Sequence, residues 1–585
     1  MSNNTTADVT GIFSLDTNRL VGLAAKGSPD VTYLAGQDTP TAEYPLSVTL
    51  TSDGGIGGLT VGSKTYDQPL FVDSRNRRGA TFNAGSVISN LLPDGTVNTP
   101  GTVGTGTYKY VTLTLPDGRR RPAYKLTAAY GSGNQAYVEI TLPTPRVFLP
   151  TDVISLDFYT DGKGIQPNVY LFASSVANAY RFNSVVGVGG VAYNAHKGLI
   201  TINIPFGMMT ATGSAAVTDV MTKLRVSMWN TAVANNTFYF LGAYLNRTAR
   251  PAICFSTDDG YLSNAWYADQ LAAIGAKLTA NIITSRLSGS AGYMTTADLK
   301  NLYARGNVTI GNHSHSHIYV NGNTSGVLYG STMNGICASQ TLAAGAMTLN
   351  GSVGSGVFDK PRHVCFSNTG TVYGATVDIV GKLDGNTISE TVTLGIGGDY
   401  PRPSELVYDQ VTSLTVNANG VTLSGTMQVG TSMSYDEMYY DILKGFNVLS
   451  DAGVLTGLHY CEPQGNRNNT LDRVLKDLGV LTSRGTEQSP IPLVGEVNWH
   501  QMPAMIFDLN TFGQMAANTN FAVNGGAGII VYSHDFVDSG ASGAQTNKAD
   551  VLTGLSTAAS LIASGALDAL TIDELYKRTV AVGVA

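Results

Sequence analysis

The chain has 585 residues and a formal net charge of −7, and only 13% of its residues are charged. This length exceeds the usual size of one domain, so we expect several domains, each burying its own core. The negative charge excludes the positive potential that binding to nucleic acid or an anionic membrane would require, and no stretch approaches the roughly 18 apolar residues of a membrane span.

The cysteines and the first residues indicate where the protein is made. Four cysteines are too few and too scattered for a disulfide framework, which predicts reduced thiols in a protein made in a cytoplasm. Residues 1–8 contain neither the basic nor the apolar region of a signal peptide. We therefore expect cytoplasmic synthesis without Sec export.

The N-terminal part of the chain has the pattern of an all-β protein. Short runs of alternating apolar and polar residues, such as 108–115 and 136–142, are separated by turn residues. This period of two is typical of sandwich or jelly-roll strands. We predict an attachment or oligomerisation segment at 1–30, a β domain at 31–145 and a β-sandwich domain at 146–248.

The predicted sandwich is a candidate for carbohydrate binding through exposed aromatic side chains. The candidate residues are Tyr159, Tyr193 and Trp229. The alternative interpretation is that these side chains pack in the core, because the sequence alone does not tell the two faces of a strand apart.

After residue 250, strands and helices alternate, which predicts a distorted (β/α) barrel. A β-prone run at 252–257 precedes Asp258, and a second run at 307–310 precedes His313. A helix is predicted to begin at Ser263.

The barrel pattern is interrupted once. Residues 334–431 have strand-like texture, and a structureless loop of this length would be unusual, so we predict a small inserted β domain. The barrel is then formed by segments 249–333 and 432–585. A capping box at Ser434 and Glu437 marks the first helix after the insertion.

Acidic residues and histidines at the predicted strand ends have the composition of a catalytic metal site. The four-residue spacing of His313 and His317 lets two imidazoles bind one ion, and Asp259 supplies a third ligand, with a fourth position left to water. Zn²⁺ is the expected ion, although Co²⁺, Ni²⁺ or Mn²⁺ would accept the same ligands. Asp258 is then free to act as base, and His534, after the strand at 528–533, is a candidate acid.

These three motifs resemble those of the polysaccharide deacetylases of the NodB-homology type, also called carbohydrate esterase family 4. The motifs are Asp-Asp-Gly at 258–260, the histidine motif at 313–317 and the apolar strand that ends at His534. The resemblance covers roughly residues 249–318 and 433–585. It implies that a metal-bound water attacks an acetyl carbonyl, with Asp258 as base and His534 as acid.

One further family motif is altered in this chain. The family has an arginine-containing turn whose backbone N–H holds the oxyanion, and here the matching residues include Pro463 and Gln464 but no arginine. We expect the backbone near Gln464 to hold the oxyanion, with Arg484 as a possible substitute for the missing arginine. Trp499 is expected either to contact the acetyl methyl group or to pack in the core.

The biological setting follows from the insertion, whose texture resembles β modules of tailed-phage structural proteins. The first hypothesis is a phage tail spike, in the virion tail, that deacetylates a bacterial capsule, lipopolysaccharide or related surface glycan. Its expected partners are that glycan and other tail proteins, and the resemblance to such spikes implies a homotrimer. The alternatives are a non-catalytic, glycan-binding receptor-binding protein with a degenerate barrel, and a bacterial cell-wall deacetylase with carbohydrate-binding modules.

Overall fold

The computed structural model describes most of the chain after residue 97. It describes residues 98–582 outside gaps at 116–119, 130–134, 161–165, 184–197, 230–234, 248, 319, 321–334, 351–357, 359, 370–374, 395–401, 421, 487–489, 494–496 and 509–511. In the first 97 residues it describes six strands, β1 (Thr6–Ser14), β2 (Arg19–Ala25), β3 (Leu46–Leu50), β4 (Ile56–Val61), β5 (Lys64–Tyr66) and β6 (Ser86–Val87). Tyr193 and the side chain of Trp229 lie outside the described residues.

The first five strands form one antiparallel sheet in the order β2-β1-β3-β4-β5. Strand β1 pairs with β2 on one side and β3 on the other, with Thr6 opposite Thr49. The sheet therefore continues across the boundary that the sequence predicted at residue 30.

Residues 98–245 form a sandwich of two antiparallel sheets. One sheet has the order β15-β13-β12-β16-β10-β7, and the other has the order β14-β11-β17-β9-β8, with β6 also paired to β17. The strands are β7 (Asn98–Val103), β8 (Gly106–Thr114), β9 (Arg120–Ala129), β10 (Gln135–Arg146), β11 (Val153–Thr160), β12 (Gln166–Phe172), β13 (Ala179–Asn183), β14 (Gly198–Pro205), β15 (Thr210–Ala211), β16 (Met221–Trp229) and β17 (Asn235–Leu245).

One hydrophobic core joins the two sheets of this sandwich. It includes Val138 on β10, Phe158 on β11 and Phe238 on β17, all buried. Strand β10 ends at Arg146 and pairs with β16, so strands on both sides of the predicted boundary at 145 belong to the same sheet. Pairing between strands that are distant in the chain is not visible in a local sequence pattern, which is why the two domains were predicted separately.

A mostly parallel sheet follows the sandwich and carries the predicted site. Its order is β30-β29-β20-β19-β18-β33-β31, with β32 also paired to β33 and β36 to β18. The strands are β18 (Ala252–Thr257), β19 (Leu278–Ile282), β20 (Val308–Asn312), β29 (His459–Cys461), β30 (Thr482–Arg484), β31 (Ile491–Pro492), β32 (Met505–Ile506), β33 (Ala527–Ser533) and β36 (Asp568–Ala569). A two-stranded sheet is formed by β34 (Asp535–Val537) and β35 (Gln545–Asn547).

The parallel sheet is curled as a half-barrel. Its main hydrogen-bonded path runs from β30 to β31. A parallel bridge between Arg484 and Met502 continues the curl beyond β30, and the chain from Met502 leads into β32, which pairs with β33. Strand β18 lies in the middle of the path and is buried along its whole length, as its continuous run of small and apolar residues requires.

Seven α-helices lie in the described part of this region. They are α1 (Asn264–Ala273), α2 (Thr296–Tyr303), α3 (Tyr435–Asp451), α4 (Asn469–Asp477), α5 (Phe512–Gly525), α6 (Lys548–Ala563) and α7 (Ile572–Val582). Short 3₁₀ helices occur at Phe206–Met208, Thr284–Ser288, Pro463–Gly465 and Trp499–Gln501. No helix in the described ranges is both long and apolar enough to cross a membrane.

The predicted helix starts have different outcomes. The capping box of α3 is confirmed, because Ser434 and Glu437 exchange both side chain–backbone bonds. Ser263 is the N-cap residue of α1, but its side chain makes no capping bond. Its hydroxyl donates instead to Asp535 Oδ1 at 2.7 Å, which links α1 to the segment after β33.

Between β20 and α3, the chain forms two four-stranded antiparallel sheets around a separate core. Their orders are β21-β28-β23-β26 and β22-β27-β24-β25. The strands are β21 (Cys337–Thr341), β22 (Gly345–Ala346), β23 (Arg362–Asn368), β24 (Thr376–Leu383), β25 (Asn386–Thr393), β26 (Arg402–Tyr408), β27 (Gln410–Asn417) and β28 (Thr426–Thr431). Phe366, Ile379 and Leu414 are buried in their common core.

Helix α3 approaches β20 closely at Gly445. A Cβ atom at this position would overlap the buried side chain of Asn312, which donates from Nδ2 to Ile442 O at 2.9 Å. Asn312 is the last residue of β20 and precedes His313. The absence of a side chain at Gly445 therefore allows α3 to pack beside the predicted metal ligand.

We predict that Gly445→Ala destabilises this region, because either Asn312 or α3 must move. An overpacked core typically costs about 1–3 kcal/mol, which corresponds to a decrease of roughly 2–10 °C in the calorimetric transition of the affected domain. Asn447→Ala, at an exposed position of the same helix, is the matched control and should leave that transition unchanged. Equal transitions for both variants would contradict the close approach.

Candidate active site and metal centre

The predicted site residues follow neighbouring strands of the parallel sheet. Asp258 and Asp259 follow β18, His313 follows β20 and His534 follows β33, while Cys461 ends β29. The carboxyl ends of parallel strands meet at one edge of a sheet. The sheet therefore gathers these side chains although they come from distant parts of the chain.

Asp259, His313 and His317 form a compact set of metal-ligand atoms. His313 Nε2 lies 3.4 Å and His317 Nε2 lies 3.6 Å from Asp259 Oδ1. Two ligands of a tetrahedral zinc ion, each about 2.1 Å from the metal, lie about 3.4 Å from each other. The distances from Asp259 Oδ1 to the two histidine Nε2 atoms therefore match those between two ligands of a single ion.

The state of Asp259 Oδ1 also fits a metal ligand. This atom is buried and has no hydrogen-bond partner among the described residues. A buried carboxylate oxygen without a partner is costly unless a cation compensates it. The three residues therefore fit a divalent ion.

Different features of the two imidazoles favour metal binding. His313 Nδ1 lies 3.0 Å from Cys461 O, and a proton donated to this carbonyl leaves the lone pair of Nε2 free for an ion. Burial lowers the pKa of His317 to about 4. His317 is therefore neutral at pH 7, as a metal ligand must be.

Three residues at this site have left-handed backbone conformations that L side chains rarely adopt. The φ angles are +69° at Asp259, +62° at Ser314 and +57° at His317. Such conformations cost free energy and persist where the surrounding structure imposes them. They turn the chain sharply after β18 and within the histidine loop, so that adjacent residues point in different directions.

Asp441 of α3 holds the histidine loop. Its Oδ1 accepts the backbone N–H groups of His315 at 2.9 Å and of Ser316 at 3.3 Å, and its Oδ2 accepts the Ser316 hydroxyl. The sequence analysis missed Asp441, and no local pattern distinguishes it from other acidic residues of an amphipathic helix. His315 lies outside the ligand set, with Nδ1 2.9 Å from Thr284 Oγ1.

Asp258 is buried beside a guanidinium group. Arg484 Nη2 donates to Asp258 Oδ1, which also accepts Asn281 Nδ2 at 3.0 Å. Burial opposes ionisation, but the charge of Arg484, aided by His313 and His534, holds the pKa of Asp258 well below its usual range. Asp258 is therefore ionised throughout the physiological pH range, as an acceptor of protons must be.

Arg484, the possible substitute for the arginine that the altered turn lacks, lies beside Asp258. It is the last residue of β30, and its buried guanidinium lies 4.2 Å from the centre of the Tyr532 ring. The same group approaches Cys461 Sγ at 2.7 Å. Asp258, His313 and Cys461 also lie within ligand distance of one another, but the Arg484 cation between Asp258 and Cys461 disfavours a second metal ion there.

His534 is paired with a carboxylate that the sequence analysis missed. His534 Nδ1 lies 2.5 Å from Asp508 Oδ2, and Nε2 lies 4.0 Å from Asp258 Oδ2. Burial favours the neutral imidazole, but the hydrogen bond to Asp508 and the charges of Asp258 and Asp508 outweigh it and raise the pKa of His534 to about 9. The only sequence signal for Asp508 was a carboxylate shortly after a brief apolar run.

Pro463 and Gln464 lie in the turn directly after β29. They form a 3₁₀ helix with Gly465, and Gln464 has a left-handed φ of +53°. This turn begins two residues after Cys461, whose carbonyl faces His313. The oxyanion role predicted for the backbone near Gln464 stays a prediction.

The described contacts of Trp499 lie in a hydrophobic core. Its ring centre is 5.0 Å from that of Tyr576 on α7, in an edge-to-face arrangement. It packs against the cluster that contains Leu493, Met502 and Leu575. These contacts favour the packing interpretation of Trp499 over contact with an acetyl group. Tyr159, by contrast, is only partly buried, and its ring centre lies 5.9 Å from that of Tyr239, which is also partly buried.

Comparisons with known proteins give distant similarities. No protein-family model matches the chain, and no curated protein matches it. Among solved structures, the deacetylase domain of BpsB from Bordetella bronchiseptica is 13% identical, with 48% of this chain and 72% of that chain covered and a TM-score of 0.22. The Streptococcus pyogenes deacetylase PplD is 10% identical, with 45% and 68% covered and a TM-score of 0.24.

The similar solved structures also include carbohydrate-binding modules. The family 11 module from Clostridium thermocellum is 10% identical, with 28% of this chain and 96% of that chain covered and a TM-score of 0.22. TM-scores at this level do not establish a common fold or activity, so the function is inferred from the geometry of the site.

The ligand set predicts how metal content responds to substitution. In His313→Ala and His317→Ala, about one equivalent of zinc per chain should be lost after dialysis, because two remaining ligands do not hold the ion tightly. The measurement is metal content by plasma mass spectrometry. His315→Ala, the histidine between them, is the matched control and should keep its zinc. Retention of zinc in His317→Ala would contradict the assignment.

The His534–Asp508 pair predicts a pH dependence in chelator-treated protein. The folded-state pKa of about 9 exceeds the usual 6.5, so protonated His534 contributes stability that is fully present below about pH 6.5 and is lost as pH rises through 9. Asp508→Asn should lower the pKa of His534 and remove this dependence, as measured by NMR titration and by denaturation at pH 6 and 10. Asp535→Asn, the adjacent carboxylate, should leave the pKa near 9; equal effects of both variants would contradict the pairing.

Proposed function

We propose that this protein is a metal-dependent deacetylase that hydrolyses acetyl groups on a bacterial surface polysaccharide. The observation that carries this proposal is the arrangement of Asp259, His313 and His317 at separations that suit one bound ion, with Asp258 and His534 beside them. A bound Zn²⁺ would supply the Lewis acidity that polarises an acetyl carbonyl and acidifies a water molecule. The residues of the chain would supply the proton transfers.

Asp258 is proposed to accept the proton of the attacking water. Its Oδ1 is engaged by Arg484 and Asn281, whereas its Oδ2 faces His534. This pairing keeps the carboxylate anionic and in one orientation. It also makes Asp258 a weak base, so the proton is held only transiently while the water oxygen bonds to the acetyl carbon.

His534 is proposed to protonate the leaving group. Its raised pKa keeps the imidazole protonated at neutral pH, and Asp508 fixes its orientation. As the bond from carbonyl carbon to nitrogen breaks, the proton of His534 passes to that nitrogen, and the products are acetate and a free amine. An amide nitrogen leaves poorly without an acid, so these features favour an N-acetyl sugar over an O-acetyl sugar.

The altered turn is proposed to stabilise the oxyanion through the backbone near Gln464, with Pro463 holding its conformation. The lack of arginine in this turn is the feature that favours the alternative of a non-catalytic barrel. Arg484 weakens this alternative, because its guanidinium contacts Asp258 from β30, the strand next to β29. Catalysis is therefore the better-supported function.

The sandwich is proposed to contact glycan through the outer face of one sheet. On this face, Arg225 lies 4.0 Å from the centre of the Tyr137 ring, and Arg181 lies 5.5 Å from that of Tyr170. Planar rings and guanidinium groups on a flat sheet suit sugar rings and their hydroxyl groups. The tail-spike setting, the virion location, the homotrimer and the other tail proteins stay predictions.

Acetate release from acetylated capsule, lipopolysaccharide and N-acetylglucosamine oligomers tests the proposed activity. Zinc-loaded protein should release acetate, and chelation should stop it. We expect Asp258→Asn and His534→Ala to lower kcat by about 10²–10⁴-fold, because each removes one proton-transfer group. Asp269→Asn, an exposed carboxylate on α1, is the matched control. No acetate from any substrate, with wild type and Asp258→Asn indistinguishable, would favour a glycan-binding protein without catalysis.

A further inference from the structure

A cavity of about 500 Å³ lies between the inserted sheets and the first turns of α3 and α4. Its frame includes one ion pair and one hydrogen bond that join the insertion to the half-barrel. Arg362 donates to both carboxylate oxygens of Glu437 at 2.7 and 3.1 Å, and His363 Nε2 contacts the hydroxyl of Thr470. Arg362 and His363 are each 2% exposed. The cavity is therefore preformed, with a volume typical of small-molecule sites.

The walls of this cavity suit an uncharged, amphipathic ligand. Apolar side chains that include Ile388 and Leu406 line it together with the ring of Tyr435. Two basic side chains and two acidic side chains also line it, namely Lys360, Arg473, Glu405 and Asp436. Their charges cancel, which gives no preference for an anion or a cation. Apolar walls combined with donors and acceptors match the C–H faces and hydroxyl groups of a saccharide.

A row of tyrosines on α3 leads away from the cavity. The rings of Tyr435 and Tyr439 are stacked at 5.8 Å, and Tyr440 lies edge-to-face with Tyr439 at 5.6 Å. Tyr440 is 66% exposed although it is a large aromatic residue. At the cavity end, the Arg473 guanidinium lies 4.6 Å from the centre of the Tyr435 ring.

The tyrosine row ends beside the histidine loop. Tyr440 precedes Asp441, which accepts the N–H groups of His315 and Ser316. Asp441 follows Ser434, at the cavity, by seven residues of helix, or about 10 Å along its axis. The cavity and the residue that holds the histidine loop therefore lie about two helical turns apart on α3.

We propose that this cavity and the row Tyr435–Tyr439–Tyr440 bind a distal part of the polysaccharide whose acetyl group lies at the metal centre. The inference rests on the proposed function and deepens it, because it assigns a second binding site for the polymer to the inserted sheets and α3. The inserted domain then acts as one wall of a distal binding site. Its contribution should appear only with ligands long enough to reach the cavity.

The test uses the N-acetylglucosamine hexamer and dimer as probes. Calorimetric titration of zinc-loaded Asp258→Asn protein measures binding without turnover. Leu406→Trp should obstruct the cavity at a position that is 40% exposed and therefore tolerates a larger side chain. Leu481→Trp, at another leucine that is 42% exposed, is the matched control. We expect Leu406→Trp, and separately the double variant Tyr439→Ala/Tyr440→Ala, to raise the Kd of the hexamer about 10-fold, with dimer binding unchanged.

Each outcome bears on one of the two proposals. Equal hexamer affinity in Leu406→Trp and Leu481→Trp, or no tighter binding of the hexamer than of the dimer, would overturn the distal site. Acetate release from the dimer, measured with Asp258 intact, reports the chemistry independently and should be the same in wild type and Leu406→Trp. Loss of acetate release with a preserved Leu406→Trp effect on hexamer binding would reject the deacetylase and leave the saccharide site standing.

Discussion

The buried contact between Asp258 and Arg484 is the interaction on which the site depends. It joins the end of β18 to the end of β30, four strands away in the sheet. Desolvation of two charges is costly, and this cost is offset by the contacts of the pair with Asn281, Cys461 and the Tyr532 ring. Because Asp258 is held there, the left-handed turn at Asp259 directs the next carboxylate to the histidines.

Helix α3 connects the site to the inserted sheets and to β20. Its first turn binds Arg362 of the inserted sheets through Glu437, its middle holds the histidine loop through Asp441, and Gly445 lets it pack on β20. The insertion is therefore anchored one helical turn from the residue that positions the metal ligands. This attachment supports the proposal that the inserted sheets contact the same substrate as the metal centre.

Local patterns predicted the parts of the site that lie close together in the chain. Three local features are sufficient to predict the candidate site, because each lies at the end of a single strand. They are the spacing of His313 and His317, the adjacent residues Asp258 and Asp259, and the apolar strand before His534. Their partners Asp441 and Asp508 come from other elements and have no pattern of their own. The same limit applies to the sandwich, where β10 pairs with β16 across the predicted boundary.

The sequence by itself determined the order of strands and helices, the inserted β region and the residue types for metal binding, because these depend on periodicity and short spacing. Only the tertiary structure decided that Arg484 lies on Asp258, that Asp508 lies on His534, that the sheet is curled as a half-barrel and that Trp499 packs on Tyr576. The physical reason is that these contacts depend on which strands become neighbours. That choice minimises the free energy of the whole packed chain, and no short segment encodes it.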